Sequence, residues 1–318
     1  MSDTNVFLFL TRSCNLACSH CYVSAEPGLG GHMSLDVFGR ILDFLSVNRI
    51  DDVRLTGGEP TVHPQFDEML RLLSVNQITP RLITNGVRLA KMRSPQSILD
   101  KVSRCWISVY GITPQQHFKI GGNRSLPLEN ILEFAGREAG AGRWIGVSAL
   151  LSEVSIADLN NFVELAQEYG VRYLRFLFSE PDGRAVSTQT IFGVGNHARA
   201  GASEAVEFLR GMSGAFELLS VNNPFDLDSD HGPAAPTCML ASRRMWSISP
   251  EGNVYSCCFN IYDPAHLVTN VLSDDFSSWS NEQLVNTYAP RCKALHASFW
   301  GSDVGRVGCP ISAITLTE

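Results

Sequence analysis

Three cysteines near the N-terminus have the spacing with the clearest chemical meaning in this chain. Cys14, Cys18 and Cys21 lie in Arg-Ser-Cys-Asn-Leu-Ala-Cys-Ser-His-Cys-Tyr, so one short C-x3-C-x2-C loop offers three thiolates. Cysteine thiolates are the usual protein ligands of iron–sulfur clusters, and a cluster with four protein ligands typically only transfers electrons. Three ligands suit a cubane cluster that leaves one iron open, and an open iron can bind a substrate.

Two other uses of these cysteines need to be weighed. A zinc site would need a fourth Cys or His, for which His20 and His32 are candidates, and a disulfide would suit a short secreted chain. This chain has 318 residues and nine cysteines, with no apolar signal segment and no run long enough to span a bilayer. We therefore expect a cytoplasmic protein in a reducing compartment, without a membrane partner.

A glycine-rich turn follows the cysteine loop. Residues 52 to 60 read Asp-Val-Arg-Leu-Thr-Gly-Gly-Glu-Pro, a buried strand followed by glycines that let the backbone approach a ligand closely. The pair of motifs resembles the radical S-adenosylmethionine (radical SAM) superfamily. The resemblance implies a [4Fe-4S] cluster whose open iron chelates the methionine end of SAM. It also implies that an electron cleaves SAM to a 5'-deoxyadenosyl radical.

The resemblance assigns roles to individual residues. The three cysteines of the loop hold the catalytic cluster, and His20 fills the aromatic position of their motif. The Gly-Gly-Glu-Pro motif contacts the amino group of SAM through Gly57, Gly58, Glu59 and Pro60. Further polar residues at strand ends are either SAM contacts or ordinary strand-end hydrogen bonds and caps: Thr84, Asn85, Ser108 and Ser148.

Arg175 lies in the apolar stretch Tyr-Leu-Arg-Phe-Leu-Phe, where a charge needs a partner. We expect either a salt bridge inside the barrel or a contact with bound SAM or substrate. Cys105 lies on a strand with Ser108, and alternation places these two side chains on opposite faces. If Ser108 points into the barrel, Trp106 and Tyr110 point there too, and Cys105 is a buried core residue without chemistry.

Short apolar runs alternate with helical patterns along residues 1–178. The predicted strands are 6–11, 52–56, 80–84, 105–109, 145–150 and 171–178, and the predicted helices are 34–47, 65–75, 94–101, 126–139 and 156–169. Six strand–helix units fit an α/β fold whose parallel sheet curls through right-handed crossovers. The family resemblance selects a partial (β/α)6 TIM-like barrel. Active sites of such barrels gather at the C-terminal strand ends, where both motifs fall.

The cysteines return after a connector. Residues 179–237 carry turn-forming clusters around a helical stretch at 202–211 and read as a connector or substrate-covering segment. In residues 238–318, Cys238, Gly252 and Cys257 match C-x13-G-x4-C, with two short strands around Pro-Glu-Gly-Asn. This pattern resembles the opening of the SPASM and twitch domains.

That second resemblance implies an auxiliary [4Fe-4S] cluster held by Cys238, Cys257, Cys292 and Cys309. The segment has five cysteines, fewer than a two-cluster SPASM domain uses, so the twitch arrangement with one cluster is favoured. A zinc ribbon is the alternative. Cys258 is left over unless it replaces Cys257 as a ligand. It is either inert or the donor of a hydrogen atom to a substrate radical, as an epimerisation would require.

Several function classes remain to be separated. A net charge of -7 and a pI near 5.6, without a polybasic run, argue against a nucleic-acid partner. Because the first strand begins by residue 6, we expect no N-terminal domain for recognising a precursor peptide. We therefore expect a small natural product as substrate, a sugar, aminoglycoside or nucleoside, undergoing dehydrogenation, epimerisation or rearrangement. A flavodoxin- or ferredoxin-type reductant would supply the electron.

Two alternatives stay open. The first is modification of a ribosomally made peptide by a crosslink, a thioether or an epimerisation, because Ile-Ser-Val-Tyr-Gly-Ile-Thr-Pro at 107–114 resembles many SPASM peptide modifiers. The second belongs to another class, a non-catalytic iron–sulfur electron carrier or sensor, which would have no use for the motif at 57–60.

Overall fold

One mixed sheet with helices packed on one face makes up the fold. The computed structural model describes residues 5–151, 155–178, 196–222, 245–255, 258, 261–279 and 313–315. The strands are β1 (Asn5–Phe9), β2 (Val53–Thr56), β3 (Arg81–Thr84), β4 (Arg104–Val109), β5 (Ile145–Leu151), β6 (Tyr173–Phe178), β7 (Leu218–Asn222), β8 (Met245–Ile248), β9 (Asn253–Tyr255), β10 (Leu267–Asn270) and β11 (Ala313–Thr315). The helices are α1 (Leu35–Val47), α2 (Phe66–Val75), α3 (Val87–Lys91), α4 (Gln96–Leu99), α5 (Pro114–Gly121), α6 (Leu128–Gly140), α7 (Ile156–Glu168) and α8 (Asn196–Gly211).

The sheet order is β10-β9-β8-β1-β2-β3-β4-β5-β6-β7-β11. Strands β1 to β7 pair in parallel with their sequence neighbours, with helical crossovers between them, so the predicted α/β fold with a partial (β/α)6 barrel is confirmed. Within the described residues, no helix is long and apolar enough to cross a membrane.

Strand alternation separates a helix-facing layer from an inner layer of the barrel. On β5, Ile145, Val147 and Ala149 are fully buried in the main hydrophobic core beneath the helices. The neighbouring Cys105 on β4 lies in the same core at 1% exposure, as predicted, and burial raises the pKa of its thiol. The residues between them on each strand, such as Ser108, are left to face the inside of the barrel.

Local signals explain where the helices begin. Ser34 and Ser155 cap α1 and α7, and their hydroxyl groups accept backbone N–H bonds from Val37 and Asp158 at 3.2 and 3.1 Å. The short helix α5 escaped prediction because its apolar periodicity is weak. Its start is nevertheless marked by the Thr113 cap followed by a proline at the first helical position.

The segments after residue 178 extend the same sheet. The predicted connector contains α8 and β7, and β7 pairs with β6. The predicted hairpin is present as β8 and β9, and β8 pairs in parallel with β1. Trp246 on β8 is 2% exposed, and its ring lies 5.4 Å from that of Phe44 on α1. The hairpin is thereby packed against the barrel through a shared core.

We predict that Trp246→Ala destabilises the whole protein, because removing a buried indole leaves a cavity that costs about 3–5 kcal/mol. The measurement is the Tm of the anaerobically reconstituted protein, which should fall by several degrees. Val47→Ala is the matched control, since Val47 is 80% exposed on α1 and should leave the Tm nearly unchanged. Equal Tm values for the two variants would contradict the packing of the hairpin on α1.

Candidate active site at the cysteine loop

The three N-terminal cysteines surround a small apolar cluster at the C-terminal edge of the barrel. Cys18 is buried, Cys14 and Cys21 are partly buried, and all three pack with Leu16 and Tyr110 among others. Two sulfur atoms accept backbone hydrogen bonds, Cys14 Sγ from the N–H of Leu16 and Cys21 Sγ from the N–H of Ala25, both at 3.3 Å. Such N–H···S bonds are among the contacts that tune a thiolate-ligated cluster.

The electrostatics of this loop suit a cationic ligand. Burial, with smaller contributions from the nearby Glu59, Cys18 and Cys21, raises the pKa of the Cys14 thiol to about 12, and the hydrogen bond from the Leu16 N–H acts in the opposite direction. Three adjacent thiolates are therefore stable here only when a metal centre neutralises them. In the part of the chain that the structure describes, no group of three His, Cys, Asp or Glu side chains is suited to a single metal ion.

The Gly-Gly-Glu-Pro turn is bonded directly to the start of the cysteine loop. The N–H of Gly58 donates to the carbonyl of Thr11 at 2.7 Å, and the N–H of Glu59 donates to that of Ser13 at 3.0 Å. A Cβ added at Gly57 would lie 2.6 Å from Thr11 O, and one added at Gly58 would lie 2.2 Å from Ser13 O. Gly57 also has a φ of +141°, which side chains rarely adopt. Both glycines are therefore required for this close approach.

Glu59 has its carboxylate buried at the point where β2 and β3 end, with 1% exposure. Its Oε1 accepts from the Thr61 N–H at 3.1 Å, the Thr61 hydroxyl at 2.6 Å and the Thr84 hydroxyl at 2.7 Å, while Oε2 accepts from the Asn85 N–H at 2.7 Å. Burial raises the pKa of Glu59, and these four bonds act in the opposite direction. The bonds stabilise the ionised carboxylate within the protein.

Asn85 connects this carboxylate to the cysteines. Its amide Nδ2 donates to Asn15 Oδ1 at 2.7 Å and lies 3.7 Å from Cys14 Sγ. Thr84, in turn, uses its hydroxyl both to donate to Glu59 and to accept from the Gly86 N–H at 3.0 Å. Of the two predicted SAM contacts at this strand end, Thr84 is thus occupied by the protein's own bonds, and Asn85 lies beside the loop.

An aromatic stack supports the other side of the loop. The His20 ring lies 5.2 Å from the ring of Tyr110, which stacks on His117 of α5 at 5.3 Å. The N–H of Ser19 donates to the carbonyl of Ile120 at 3.1 Å, so α5 fixes the loop from outside the sheet.

The remaining predicted residues lie in one row of the sheet. The strand register aligns Ser108, Ser148 and Arg175 across β4, β5 and β6. Arg175 donates to Ser148 Oγ through Nε at 3.2 Å and Nη2 at 3.1 Å, and its guanidinium lies 4.4 Å from the centre of the Trp106 ring. Among described residues it forms no salt bridge.

The predicted auxiliary ligands Cys238, Cys257, Cys292 and Cys309 lie outside the described residues. Cys258 is described and buried, and it packs with Phe7 and Phe9 on the inner face of β1. Sequence reasoning missed Thr11, Thr61 and Asn15 as supports of the site. Their positions beside the two motifs are the signal that could have found them.

We predict that Gly58→Ala lowers iron content and SAM cleavage together, because the new Cβ displaces Ser13 and with it Cys14. The measurements are iron per reconstituted chain and the yield of 5'-deoxyadenosine. Gly39→Ala serves as the control, since nothing lies within 4 Å of an added Cβ in α1. Wild-type iron content in the Gly58 variant would contradict the close approach of turn and loop.

Comparison with known proteins agrees with this geometry. Mycofactocin maturase MftC of Mycobacterium tuberculosis is 28% identical over 307 residues, covering 94% of this chain and 76% of that protein. PqqA peptide cyclase of Methylorubrum extorquens is 25% identical over 326 residues, covering 97% and 80%.

Two solved structures share the fold. SuiB of Streptococcus suis, bound to S-adenosylmethionine, has a TM-score of 0.69 at 14% identity, and the match covers 89% of this chain and 66% of SuiB, just under two thirds. The enzyme anSMEcpe with bound AdoMet has a TM-score of 0.63 at 16% identity, covering 90% and 81%.

These relatives overturn one expectation from the sequence. The expected small natural-product substrate is wrong, because the similar proteins include a mycofactocin maturase and a PqqA peptide cyclase. The alternative of a non-catalytic electron carrier loses its support as well, since the similar proteins are a maturase and a cyclase. A profile of the Radical SAM superfamily matches residues 8–166, half of the chain, and the chain is therefore a radical SAM enzyme.

Proposed function

We propose that this enzyme is a peptide maturase, which abstracts a hydrogen atom from a ribosomally made peptide and leaves a crosslink, a thioether or an inverted residue. The observation that carries the proposal is the similarity to MftC and PqqA peptide cyclase over 94% and 97% of this chain. That similarity spans the barrel and the segment that follows it.

The cofactors of this family fit the loop. When bound, the [4Fe-4S] cluster and SAM together supply the 5'-deoxyadenosyl radical that removes the substrate hydrogen. In our proposal Cys14, Cys18 and Cys21 hold the cluster. The apolar side chains of Leu16 and Tyr110 exclude water around it, which protects a reactive radical from side reactions.

SAM is held, in the same proposal, by the groups around the Gly-Gly-Glu-Pro turn. The backbone of residues 57–60 lines the approach to the loop, and Glu59 Oε2 accepts one hydrogen bond from the described residues, which leaves a lone pair for an ammonium group. Asn85, Ser108 and Ser148 offer further polar groups towards the barrel interior, and His20 lies beside the loop. Thr84 acts by orienting Glu59.

The second cluster also belongs to the proposal. Cys238, Cys257, Cys292 and Cys309 would hold one auxiliary [4Fe-4S] cluster beside the β8–β9 hairpin. The described hairpin supports this, because Gly252 has a φ of +84° and its N–H closes the turn onto the Ser249 carbonyl at 2.9 Å. The glycine of C-x13-G-x4-C is thus required by the turn. A flavodoxin- or ferredoxin-type protein would reduce the enzyme.

Cys258 carries a separate part of the proposal. We propose that its thiol, which is buried in a cluster with Phe7, Phe9 and Tyr255, faces the space where a substrate radical would form. A thiol there can return a hydrogen atom to the radical. This role is needed only if the reaction is an epimerisation.

The peptide function is tested with synthetic copies of short peptides encoded beside the gene of this enzyme. We predict that one of them accelerates 5'-deoxyadenosine formation and either loses mass as hydrogen or, if it is epimerised, keeps its mass in H2O and takes up deuterium in D2O. The control is the Cys14, Cys18 and Cys21 triple Ala variant, which should yield neither product. Turnover of no peptide by an enzyme that cleaves SAM would contradict the peptide function.

The adjacent thiols have different predicted roles. Cys257→Ala should remove the auxiliary cluster and about half of the bound iron, because one of its four ligands is lost. Cys258→Ala is the matched neighbour and should keep its iron. If the enzyme is an epimerase, the product of the Cys258 variant should no longer contain deuterium from the solvent. If the enzyme dehydrogenates its substrate, the Cys258 variant should turn over nearly normally. Equal iron loss in both variants would refute the division between them.

A further inference from the structure

The inner face of the barrel carries more positive than negative charge in the described residues. Arg54, Arg81 and Arg104 form one register row across β2, β3 and β4, and Arg175 lies farther along the inner face on β6. Neighbouring strands lie about 4.8 Å apart, so like charges in one row repel one another unless counter-charges are present. Burial lowers the pKa of Arg54, and the nearby Arg81 and Arg104 lower it further.

Asp52 is the counter-charge for part of this row. Its Oδ2 lies 3.0 Å from Arg81 Nη2, and its Oδ1 lies 4.0 Å from Arg54 Nε. Arg54 also donates to Asn5 Oδ1 at 2.5 Å. Arg104 is exposed to solvent, which screens its charge. The contacts of this row with Asp52, Asn5 and solvent do not involve Arg175.

Arg175 differs from the row because a neutral hydroxyl takes two of its N–H bonds. Ser148 Oγ accepts from Nε and Nη2, and within the described residues no carboxylate lies within 4 Å of the guanidinium. Burial and the nearby Arg54 lower the pKa of Arg175 to about 10, so it stays charged at neutral pH. A partly buried cation with donors to spare is stabilised when it binds an anion.

The guanidinium is held in place before any ligand arrives. It lies 4.4 Å from the centre of the Trp106 ring, which is a favourable cation–π geometry. The indole lies across β5 at Gly146, where an added Cβ would come within 2.7 Å of the ring. Because Gly146 has no side chain, the Trp106 ring fits against it and lies next to the Arg175 guanidinium.

The position of Arg175 is close to the catalytic loop. Each strand of the row that contains Ser108, Ser148 and Arg175 has an inward-facing residue two positions later. These residues are Tyr110, Leu150 and Leu177, and they pack with the cysteines. Two residues of a strand span about 7 Å. Arg175 thus lies one layer below the layer that contacts the loop, within reach of a substrate whose reacting carbon faces SAM.

We propose that Arg175 binds a carboxylate of the peptide substrate, and this inference rests on the proposed peptide function. The planar guanidinium forms paired hydrogen bonds with a carboxylate, which fix its orientation. The carboxylate belongs either to an Asp or Glu side chain or to the C-terminus of the peptide. In both cases the charge anchors the peptide below the catalytic loop and sets which hydrogen faces SAM.

The test uses capped amino acids as probes of the SAM-loaded, reconstituted enzyme. N-acetylglutamic acid α-amide presents a side-chain carboxylate, and N-acetylalanine presents a C-terminal one. N-acetylglutamine amide and N-acetylalanine amide are their neutral counterparts. Binding is measured by saturation-transfer NMR, and SAM affinity and 5'-deoxyadenosine yield are measured on the same samples.

We expect at least one acid probe to bind the wild type about ten-fold more tightly than its amide, as hydrogen bonds to a charged group allow. Arg175→Gln should abolish that preference with unchanged SAM affinity, and Arg175→Lys should retain part of it. Arg104→Gln, which removes an exposed arginine of the same face, should keep the full preference. The acid probe that binds identifies the source of the carboxylate.

Other outcomes would overturn the inference. If the acid preference is absent in the wild type or survives in Arg175→Gln, the guanidinium does not bind a substrate carboxylate. If SAM affinity falls ten-fold in Arg175→Gln and in Arg175→Lys without loss of probe preference, Arg175 binds the carboxylate of SAM instead. The peptide assay could give no product while the enzyme still prefers an acid probe in an Arg175-dependent way. That result would refute the peptide function but not the carboxylate site.

Discussion

The site depends on the hydrogen bonds that the buried carboxylate of Glu59 accepts. Removing an ionised group from water is costly unless it is fully hydrogen-bonded, and hydrogen bonds to a charge contribute about 1.5–3 kcal/mol each. Its four donors come from the turn after β2 and from the end of β3. Glu59 therefore joins two strand ends, and the amide of Asn85 carries that connection on to Cys14.

Backbone contact adds a second constraint at the same place. Hydrogen bonds from Gly58 and Glu59 to the carbonyls of Thr11 and Ser13 bring two loops together with no side chain between them. A turn that carries side chains would not fit, since the space is filled by the other backbone. These bonds fix the cysteine loop to the end of β2. Strand β2 is held in place on both sides, because it pairs with β1 and with β3.

The two faces of the sheet divide the work of the protein. The helix-facing layer is apolar and supplies stability, as the fully buried Val147 and Leu174 illustrate. The inner layer holds polar and reactive side chains, among them those of Ser148, Arg175 and Cys258. Pairing of β8 with β1 continues this inner face into the C-terminal hairpin, so the residues after the barrel contribute to the same interior.

Sequence alone determined the parts of the protein that depend on local spacing. The chain itself fixes the separation of Cys14, Cys18 and Cys21, so a shared ligand set could be inferred without a structure. Alternation along β4 likewise sufficed to bury Cys105. The turn at Gly252 was also readable, because its residues are consecutive.

Tertiary structure decided which distant residues meet. For Thr84 the sequence left a SAM contact and a strand-end hydrogen bond open, and the fold brings its hydroxyl to the Glu59 carboxylate. For Arg175 the sequence left a salt bridge and a ligand contact open, and the alignment of β4, β5 and β6 gives it Ser148 and Trp106 as neighbours among the described residues. Contacts across strands depend on register and crossover, and these are set by the packing of the whole sheet rather than by any single motif.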